Sequence, residues 1–346
     1  MGVQLLLDGL RLRVESPEAG HVDHVVTAMG EACERLRPGP DPNWSLHILP
    51  GHPVLEDSRA WPRLELRPGG PSLTITGNQN GRLRAVGYYR PQSAPVAIEV
   101  DRGRRLTRLM VSSTYTDQTH WSAWLVKTFF ASRLSACGWR MLHASAVALN
   151  GVAVLFVAVP GGGKSTLAHR ACRELGATFM ADDLVMVGPD GTVVGWPTRV
   201  CLPHGLNAPS SKQIGRMVGG PQRRRLVLSL AEHRTLGFTH APPTPLGTVV
   251  HVRSGPTPTP SCRPWTQRSR NMAEVSAGDI PVQRLYTSDL LGLTGAAPTL
   301  PPRSGEKVFT DVDGFDLTIP DSAALPTAPV WAALSPALPP GAGVRS

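Results

Sequence analysis

Alternating apolar and polar residues characterise the first third of the chain. The segment "VQLLLDGLRLRV" places Asp8-Gly9 between two alternating runs, which predicts a β-hairpin closed by a two-residue turn. The period of the next segment, "HVDHVVTAMGEACERL", predicts a helix with one apolar face. Short strand-like segments continue from there, so we predict a β-rich α+β domain over residues 1–115. The apolar face of the predicted helix comprises Val22, Val25, Val26, Met29, Cys33 and Leu36.

Helical and strand-like segments alternate in the second part of the chain. The apolar spacing over residues 117–137 predicts a helix. The segment "MLHASAVALNGVAVLFVAV" predicts two strands joined by a turn at Asn150-Gly151. A glycine loop and a helix follow, and "TFMADDLVMV" predicts one buried strand. We therefore predict an α/β catalytic domain over residues 116–320 and an Ala/Pro-rich disordered tail over residues 321–346. With the smaller β-rich domain in front, the overall class is α+β. The helix over 117–137 has an apolar stripe of Trp121, Trp124, Leu125, Thr128, Phe129 and Leu134.

The charge balance says little about partners. The net charge of +9 and the pI of about 9.9 raise nucleic acid as a partner, but arginine supplies nearly all of the basic charge. Because this bias accompanies 35 glycines and 34 prolines, we interpret it as compositional and expect neither a nucleic-acid nor a membrane partner. The sequence leaves open whether the chain forms a homo-oligomer. The five scattered cysteines lack metal-ligand spacing, which predicts reduced thiols in a cytoplasmic protein.

The loop after the second hairpin strand has the pattern of a phosphate-binding loop. The sequence "AVPGGGKS" matches G-x-x-x-x-G-K-[ST] except that Ala158 replaces the first glycine. Glycines allow backbone N–H groups to surround a phosphate, Lys164 reaches the β- and γ-phosphates, and Ser165 binds Mg²⁺. The alternative is a glycine-rich turn that contains Lys-Ser without binding phosphate, but the flanking strand and helix favour a nucleotide site. The predicted ATP-binding residues are Pro160, Gly161, Gly162, Gly163, Lys164, Ser165 and Thr166.

Two adjacent aspartates interrupt the apolar run that follows. Asp182 and Asp183 are costly inside a buried strand unless cations or hydrogen bonds compensate them. In one interpretation the strand ends there and the pair forms a solvated turn. In the other, which we favour, Mg²⁺ compensates the pair, one carboxylate accepts a proton from an attacking hydroxyl, and the other supports the metal or a neighbouring histidine.

Residues 142–187 resemble the catalytic domain of the HPr kinase/phosphorylase family. In that family a histidine-bearing strand, a hairpin, the phosphate loop and an Ala-Asp-Asp strand follow one another, as they do here. The resemblance becomes fainter towards residue 320. It implies a compact P-loop kinase fold, distantly like phosphoenolpyruvate carboxykinase, that uses ATP and Mg²⁺ to phosphorylate a Ser or Thr hydroxyl. It places Asp182 at the general base, Asp183 at the second aspartate and His143 beside it.

Two departures from the family pattern are visible. Pro160 stands where the family usually has serine, and the Leu-Glu-[Ile/Val]-Arg-Gly signature after the Asp-Asp strand is absent from the sequence. These departures speak against HPr recognition and against the reverse phosphorylase activity. The chain looks closer to diverged relatives found with biosynthetic clusters, including kinases that phosphorylate the C-terminal serine of lasso-peptide precursors.

Four basic residues are further candidates for contacts with substrate or phosphate. Arg199 and His204 lie in "GWPTRVCLPHGL", and Arg224 and Arg225 belong to "QRRRLVLSL". A guanidinium from either segment can clamp a phosphate or an acidic substrate segment. An ordinary surface role is the alternative for each of them, since arginine is frequent throughout the chain.

The sequence thus predicts an ATP- and Mg²⁺-dependent phosphotransferase that acts on a Ser or Thr of a peptide or small protein, with natural-product precursor peptides among the candidate acceptors. A small-molecule kinase with the same core and a non-catalytic nucleotide-binding regulatory module are the alternatives. The Asp pair favours catalysis, because a protein that only binds a nucleotide has no use for a base.

Overall fold

The computed structural model describes residues 1–51, 63–66, 71–90, 92–112, 118–203, 216–218, 225–278, 281–294, 309, 312–320 and 327–342. The chain is mixed α/β, with two large sheets and few helices. It divides into two compact units, Met1–Cys137 with Pro281–Pro301 and Gly138–Ile280 with Pro302–Ser346. Within the described ranges, no helix has the length and apolar character needed to cross a membrane.

Strands outnumber helices in both units. The strands are β1 (Gly2–Leu7), β2 (Leu10–Glu15), β3 (Glu34–Leu36), β4 (Trp44–Pro50), β5 (Arg63–Glu65), β6 (Ser72–Gln79), β7 (Arg82–Tyr88), β8 (Val96–Asp101), β9 (Leu106–Val111), β10 (Arg140–Leu142), β11 (Ser145–Leu149), β12 (Val152–Val157), β13 (Thr178–Ala181), β14 (Val185–Val187), β15 (Thr192–Gly195), β16 (Val200–Pro203), β17 (Arg216–Val218), β18 (Arg225–Leu228), β19 (Thr244–Gly255), β20 (Ser261–Pro264) and β21 (Asp313–Pro320). The helices are α1 (Ala19–Met29), α2 (Thr119–Ala136), α3 (Lys164–Arg170), α4 (Leu230–Thr235), α5 (Gln267–Ala277), α6 (Pro281–Thr287) and α7 (Thr327–Leu334).

The first unit is built on a sheet in the order β3-β1-β2-β4-β9-β8-β7-β6-β5. The predicted hairpin is confirmed: β1 and β2 pair antiparallel, and both turn residues, Asp8 and Gly9, have positive φ. Helix α1 crosses from β2 to the parallel strand β4. This helix is shorter than predicted, because Gly30 ends it in a left-handed φ and the chain continues into β3.

Helix α2 belongs to the first unit, which corrects the predicted boundary near residue 115. It packs against α1 and α6, and its side chains are buried on nearly every face, including Leu125 and Phe130. The expected aromatic stripe is therefore only part of its buried surface, and polar residues such as Ser132 are also enclosed. The hydroxyl of Ser132 donates to the carbonyl of Thr128, which satisfies it inside the helix.

The second unit contains a mixed sheet in the order β10-β14-β15-β19-β12-β11-β13, with β21 added beside β19 and β20 beside β21. Strands β12, β19 and β21 are parallel, so their carboxyl ends lie at one edge of the sheet. The hairpin predicted at Asn150-Gly151 is confirmed, with both residues at positive φ between β11 and β12. A small three-stranded sheet in the order β16-β18-β17 belongs to the same unit.

The carboxyl-terminal segment is partly folded, contrary to the predicted disordered tail. Helix α7 buries Val330, Trp331 and Leu334 in the same apolar cluster as the core of β12 and α3. The Trp331 indole N–H donates to Glu174 Oε2 over 2.5 Å. The prediction failed because an Ala/Pro-rich composition suggests disorder, whereas three large apolar side chains on one helical face are enough to anchor a short segment.

Candidate active site

The glycine loop joins the carboxyl end of β12 to the start of α3. Ala158 is fully buried, whereas Val159, Pro160 and Gly161 are exposed. Gly161 and Gly163 have φ of 84° and 94°, a region that side-chain-bearing residues rarely adopt. A β-carbon on Gly162 would lie 2.8 Å from that of Ala158, so this position has no room for a side chain. Three consecutive positions thus need glycine, and the backbone between β12 and α3 is left uncovered.

Lys164 and Ser165 form the first turn of α3, immediately after the loop. Lys164 is buried, with 7% of its surface exposed, which is unusual for an ammonium group. Burial lowers the pKa of Lys164, and the charges of Asp183 and Asp182 partly offset this effect. The predicted strand, helix and Asp pair therefore do converge on the lysine. Ser165 and Thr166 are half-buried beside it.

The Asp pair lies between two strands and not inside one. Strand β13 ends at Ala181 and pairs with β11, whereas β14 begins at Val185 and pairs with β10 and β15. The prediction of one continuous buried strand is therefore wrong. The alternative of a solvated turn is wrong for Asp182, which is only 4% exposed.

Asp182 is held by hydrogen bonds to its backbone and to one side-chain oxygen. The backbone N–H of Cys201 donates to Asp182 Oδ2 over 2.7 Å. The Ser145 hydroxyl donates to the Asp182 carbonyl, and the Ser165 hydroxyl lies 3.5 Å from the same carbonyl oxygen. Asp182 Oδ1 is buried without a hydrogen-bond partner among the described residues. A buried carboxylate oxygen in this state is costly unless a ligand or cation satisfies it.

Asp183 is more accessible and pairs with the predicted histidine. His143 Nε2 lies 3.1 Å from Asp183 Oδ1, with the His143 ring buried and the carboxylate 44% exposed. Burial alone would raise the pKa of Asp183, but its hydrogen bond with His143 and the charges of His143, Lys164 and Arg225 outweigh it and lower the pKa. His143 is fixed by its backbone N–H, which donates to the Ala277 carbonyl at the end of α5 over 2.9 Å. It lies between β10 and β11, not within a strand as predicted.

The predicted substrate residues divide into three groups. Arg225, the first residue of β18, is half-buried, and its charge acts on both Lys164 and Asp183, which places it at the site. Arg199 is exposed, and its charge acts on the thiol of Cys201, two residues further along the chain. His204 and Arg224 lie outside the described residues.

Sequence reasoning missed three residues that support the site. Ser145 and Cys201 hold Asp182 in place, and His169 Nδ1 donates to the Ser165 carbonyl over 2.7 Å. Ser145 follows His143 by two residues, so it belongs to the segment that carries the family resemblance. The backbone donor of Cys201 leaves no sequence signal, because any residue except proline supplies an N–H.

The site fits a bound Mg²⁺ with an incomplete set of protein ligands. In the part of the chain that the structure describes, no cluster of three or more His, Cys, Asp or Glu side chains is arranged to hold a metal. Mg²⁺ typically takes only one or two carboxylates from the protein and the remaining oxygens from phosphates and water. The partly exposed carboxylate of Asp183 is suited to this role together with Ser165, and the buried Asp182 Oδ1, unpartnered among the described residues, is then left for a hydrogen-bond donor.

Comparisons with known proteins assign no family. No protein-family model matches the chain, and no curated protein matches it.

Proposed function

We propose that the second unit is an ATP- and Mg²⁺-dependent kinase that transfers the γ-phosphoryl group to a Ser or Thr hydroxyl of a peptide or small protein. The observation that carries the proposal is a buried Lys164 next to Asp182 and Asp183, directly after a loop whose backbone is uncovered by side chains. A P-loop kinase fold of the HPr kinase type is part of this proposal.

The loop suits a polyphosphate for steric and electrostatic reasons. Gly161, Gly162 and Gly163 allow backbone N–H groups to approach phosphate oxygens that a β-carbon would keep away. Lys164 supplies a compact positive charge in a place with little water, where its interaction with a phosphate is strengthened. A bound polyphosphate would also restore the ammonium form that burial disfavours.

Ser165 and Asp183 would hold the Mg²⁺ ion. When bound, the ion neutralises charge on the transferred phosphoryl group. The chain's own residues then divide the remaining tasks. Lys164 orients the phosphates, and Arg225 adds a second cation close enough to act on the charge of Asp183.

We assign the acceptor proton to Asp182. Its Oδ1 has no hydrogen-bond partner among the described residues, whereas Asp183 Oδ1 is occupied by His143 and the pKa of Asp183 lies below its ordinary value, which disfavours Asp183 as a base. An acceptor hydroxyl that donates to Asp182 Oδ1 would satisfy this buried atom and would be oriented for attack on phosphorus. His143 then keeps Asp183 ionised and in place.

The experiment measures ATP binding and phosphoryl transfer separately. The full chain is mixed with γ-labelled ATP, Mg²⁺ and pools of peptides that contain Ser or Thr, and nucleotide affinity is measured by calorimetry. We expect Lys164→Met to lose both binding and transfer, and Asp182→Asn to bind ATP but lose transfer about 100-fold or more. Asp313→Asn, a change to an exposed aspartate at the start of β21, is the matched control and leaves both unchanged.

Three results would contradict parts of the proposal. If the wild type does not bind ATP, the loop is not a nucleotide site. If it binds ATP but phosphorylates no Ser- or Thr-containing peptide and no small-molecule alcohol, the chain is a nucleotide-binding module. If Asp182→Asn retains full transfer, the proton goes elsewhere, and Asp183→Asn becomes the informative variant.

A further inference from the structure

A second hydrogen-bonded cluster in the same unit joins a serine, a histidine and an aspartate. His251 on β19 is 2% exposed, and its Nδ1 lies 3.0 Å from Asp316 Oδ1 on the neighbouring strand β21. The other ring nitrogen, Nε2, lies 3.5 Å from the hydroxyl oxygen of Ser276 in the last turn of α5. The functional site described above uses none of these residues.

The hydrogen bonds determine the tautomer of the histidine. A carboxylate only accepts hydrogen bonds, so His251 Nδ1 must carry the proton that it shares with Asp316. Burial lowers the pKa of His251 although Asp316 acts in the opposite direction, so the ring is neutral near pH 7. A neutral ring protonated at Nδ1 presents a bare Nε2 to Ser276. This is the order of a nucleophile, a base and an orienting carboxylate.

The cluster lies level with the end of β12, where the glycine loop begins, although β19 and β21 continue for four more residues. His251 is the register partner of Val157, the last residue of β12, and the two strands are parallel. Ala277, which follows Ser276, accepts the backbone N–H of His143, the histidine that pairs with Asp183. His251 thus lies beside the last residue before the loop, and the end of α5 next to Ser276 is joined to His143 by one backbone hydrogen bond.

The surrounding charges favour phosphoryl chemistry over acyl chemistry. Arg253 Nε lies 3.9 Å from Asp316 Oδ1, and its guanidinium is exposed next to the cluster. Lys164 lies at the start of α3, just beyond the strand that pairs with His251. Ser276 is in the last turn of α5, where the helix presents carbonyl groups, so this end offers no amides to an acyl oxyanion, and a phosphoryl group here depends on the nearby cations. Cations suit a phosphoryl group, whose charge is spread over three oxygens.

We propose that Ser276 is an intramolecular phosphoryl acceptor, with His251 as its base and Asp316 as the positioning residue. In this step the Ser276 hydroxyl oxygen forms a bond to the γ-phosphorus of ATP and the bond from that phosphorus to the bridging oxygen breaks. ADP leaves with that electron pair, and the hydroxyl proton moves to His251 Nε2. Asp316 stabilises the resulting imidazolium. The inference rests on the proposed kinase function, because ATP bound at the glycine loop is the donor.

The experiment incubates the full chain with ATP and Mg²⁺ and maps phosphorylated residues by mass spectrometry, with a Ser-containing peptide pool in the same tube. We expect phosphate on Ser276 of the wild type, none at this position in Ser276→Ala, and phosphothreonine in Ser276→Thr. Ser261→Ala, a change to another half-buried serine of the unit, is the matched control and leaves Ser276 phosphorylation unchanged. His251→Gln is expected to slow it about 100-fold.

The positioning role of Asp316 is tested through a pH profile. Since Asp316 acts to raise the pKa of His251, Asp316→Asn should move the acid limb of Ser276 phosphorylation to lower pH as well as slow the reaction. An unmoved limb would contradict this role.

Peptide transfer without Ser276 phosphorylation in the wild type would overturn the inference and leave the kinase proposal intact. Absence of both would overturn both. If His251→Gln does not fold, the Ser276→Thr variant decides: phosphothreonine at position 276 supports the inference, and its absence contradicts it.

Discussion

A buried cluster of histidines behind the glycine loop should make the second unit sensitive to mild acid. His233 on α4 is fully buried and stacks on Phe238, with ring centroids 4.1 Å apart. Its Nδ1 lies 2.9 Å from His240 Nε2, and its own Nε2 is buried without a hydrogen-bond partner in the described ranges. Burial lowers the pKa of His233 to about 2, helped by the nearby charges of His169, His240, Arg173 and Arg234.

The sign of the effect follows from linkage. The folded pKa lies below the unfolded value of 6.5, so the unfolded chain binds more protons and the free energy of unfolding falls as pH decreases below about 6.5. Between pH 7 and pH 5 the unfolded His233 becomes largely protonated while the folded one stays neutral. At 1.36 kcal/mol per unit, this residue alone costs about 2 kcal/mol over that interval. Burial also lowers the pKa of His240, to about 4, so it adds a loss of the same sign and of nearly the same size over this interval.

The variant His233→Phe tests this reasoning. Phenylalanine keeps the stacking on Phe238 and cannot be protonated, so the variant should lose about 2 kcal/mol less than the wild type between pH 7 and pH 5. Hydrogen exchange of the amide of Phe179, which donates to the Thr239 carbonyl beside the cluster, reports opening of this unit separately from the other. His47→Phe, a change to a half-buried histidine of the first unit, is the control. An equal pH dependence in wild type and His233→Phe would refute the argument.

Three further predictions concern packing. Trp331→Ala should destabilise the second unit by about 3–5 kcal/mol, whereas Trp331→Phe should cost less, because it loses the hydrogen bond to Glu174 but keeps most of the buried volume. Unchanged thermal midpoints would show that α7 does not anchor the segment. Gly195→Ala should cost more than about 3 kcal/mol, because its β-carbon would overlap the Met180 carbonyl; urea denaturation measures this, and a change below about 1 kcal/mol would contradict the close approach of β15 to β13. Gly162→Ala should weaken ATP binding, and adding Ala158→Gly should restore it by removing the methyl group 2.8 Å away; calorimetry on both variants decides, and failure of the second change to compensate would contradict the steric explanation.

Local signals predicted the elements of the site better than its assembly. Asp8-Gly9 and Asn150-Gly151 specify their turns through positive φ, which neighbouring residues alone determine. The glycine loop was located for the same reason. The split of the Asp-Asp segment into β13 and β14 was not predictable from periodicity, because both halves are equally apolar and their partners lie on different strands.

The predictions of the domain boundary and of a disordered tail were wrong for a related reason. The sequence of α2 does not indicate which sheet the helix packs against. Its apolar residues lie on most faces, so the pattern is compatible with either unit. The same holds for the support of Asp182: Cys201 lies 19 residues away in sequence and contributes only a backbone N–H. Contacts of this kind depend on long-range topology, which composition and period do not encode.

The replacement of the first loop glycine by Ala158 has a physical consequence at another position of the loop. The Ala158 methyl is fully buried in the apolar cluster beneath α3, and it occupies the space next to Gly162. In the general pattern, residue 162 is one of four unrestricted positions between the two glycines. Here the methyl group of Ala158 restricts residue 162 to glycine. The glycine missing at position 158 is therefore matched by a glycine that is required at position 162. The imperfect match at Ala158 is therefore compatible with a loop whose backbone remains open to a phosphate, and the run of three glycines before Lys164 is the compensation that keeps it so.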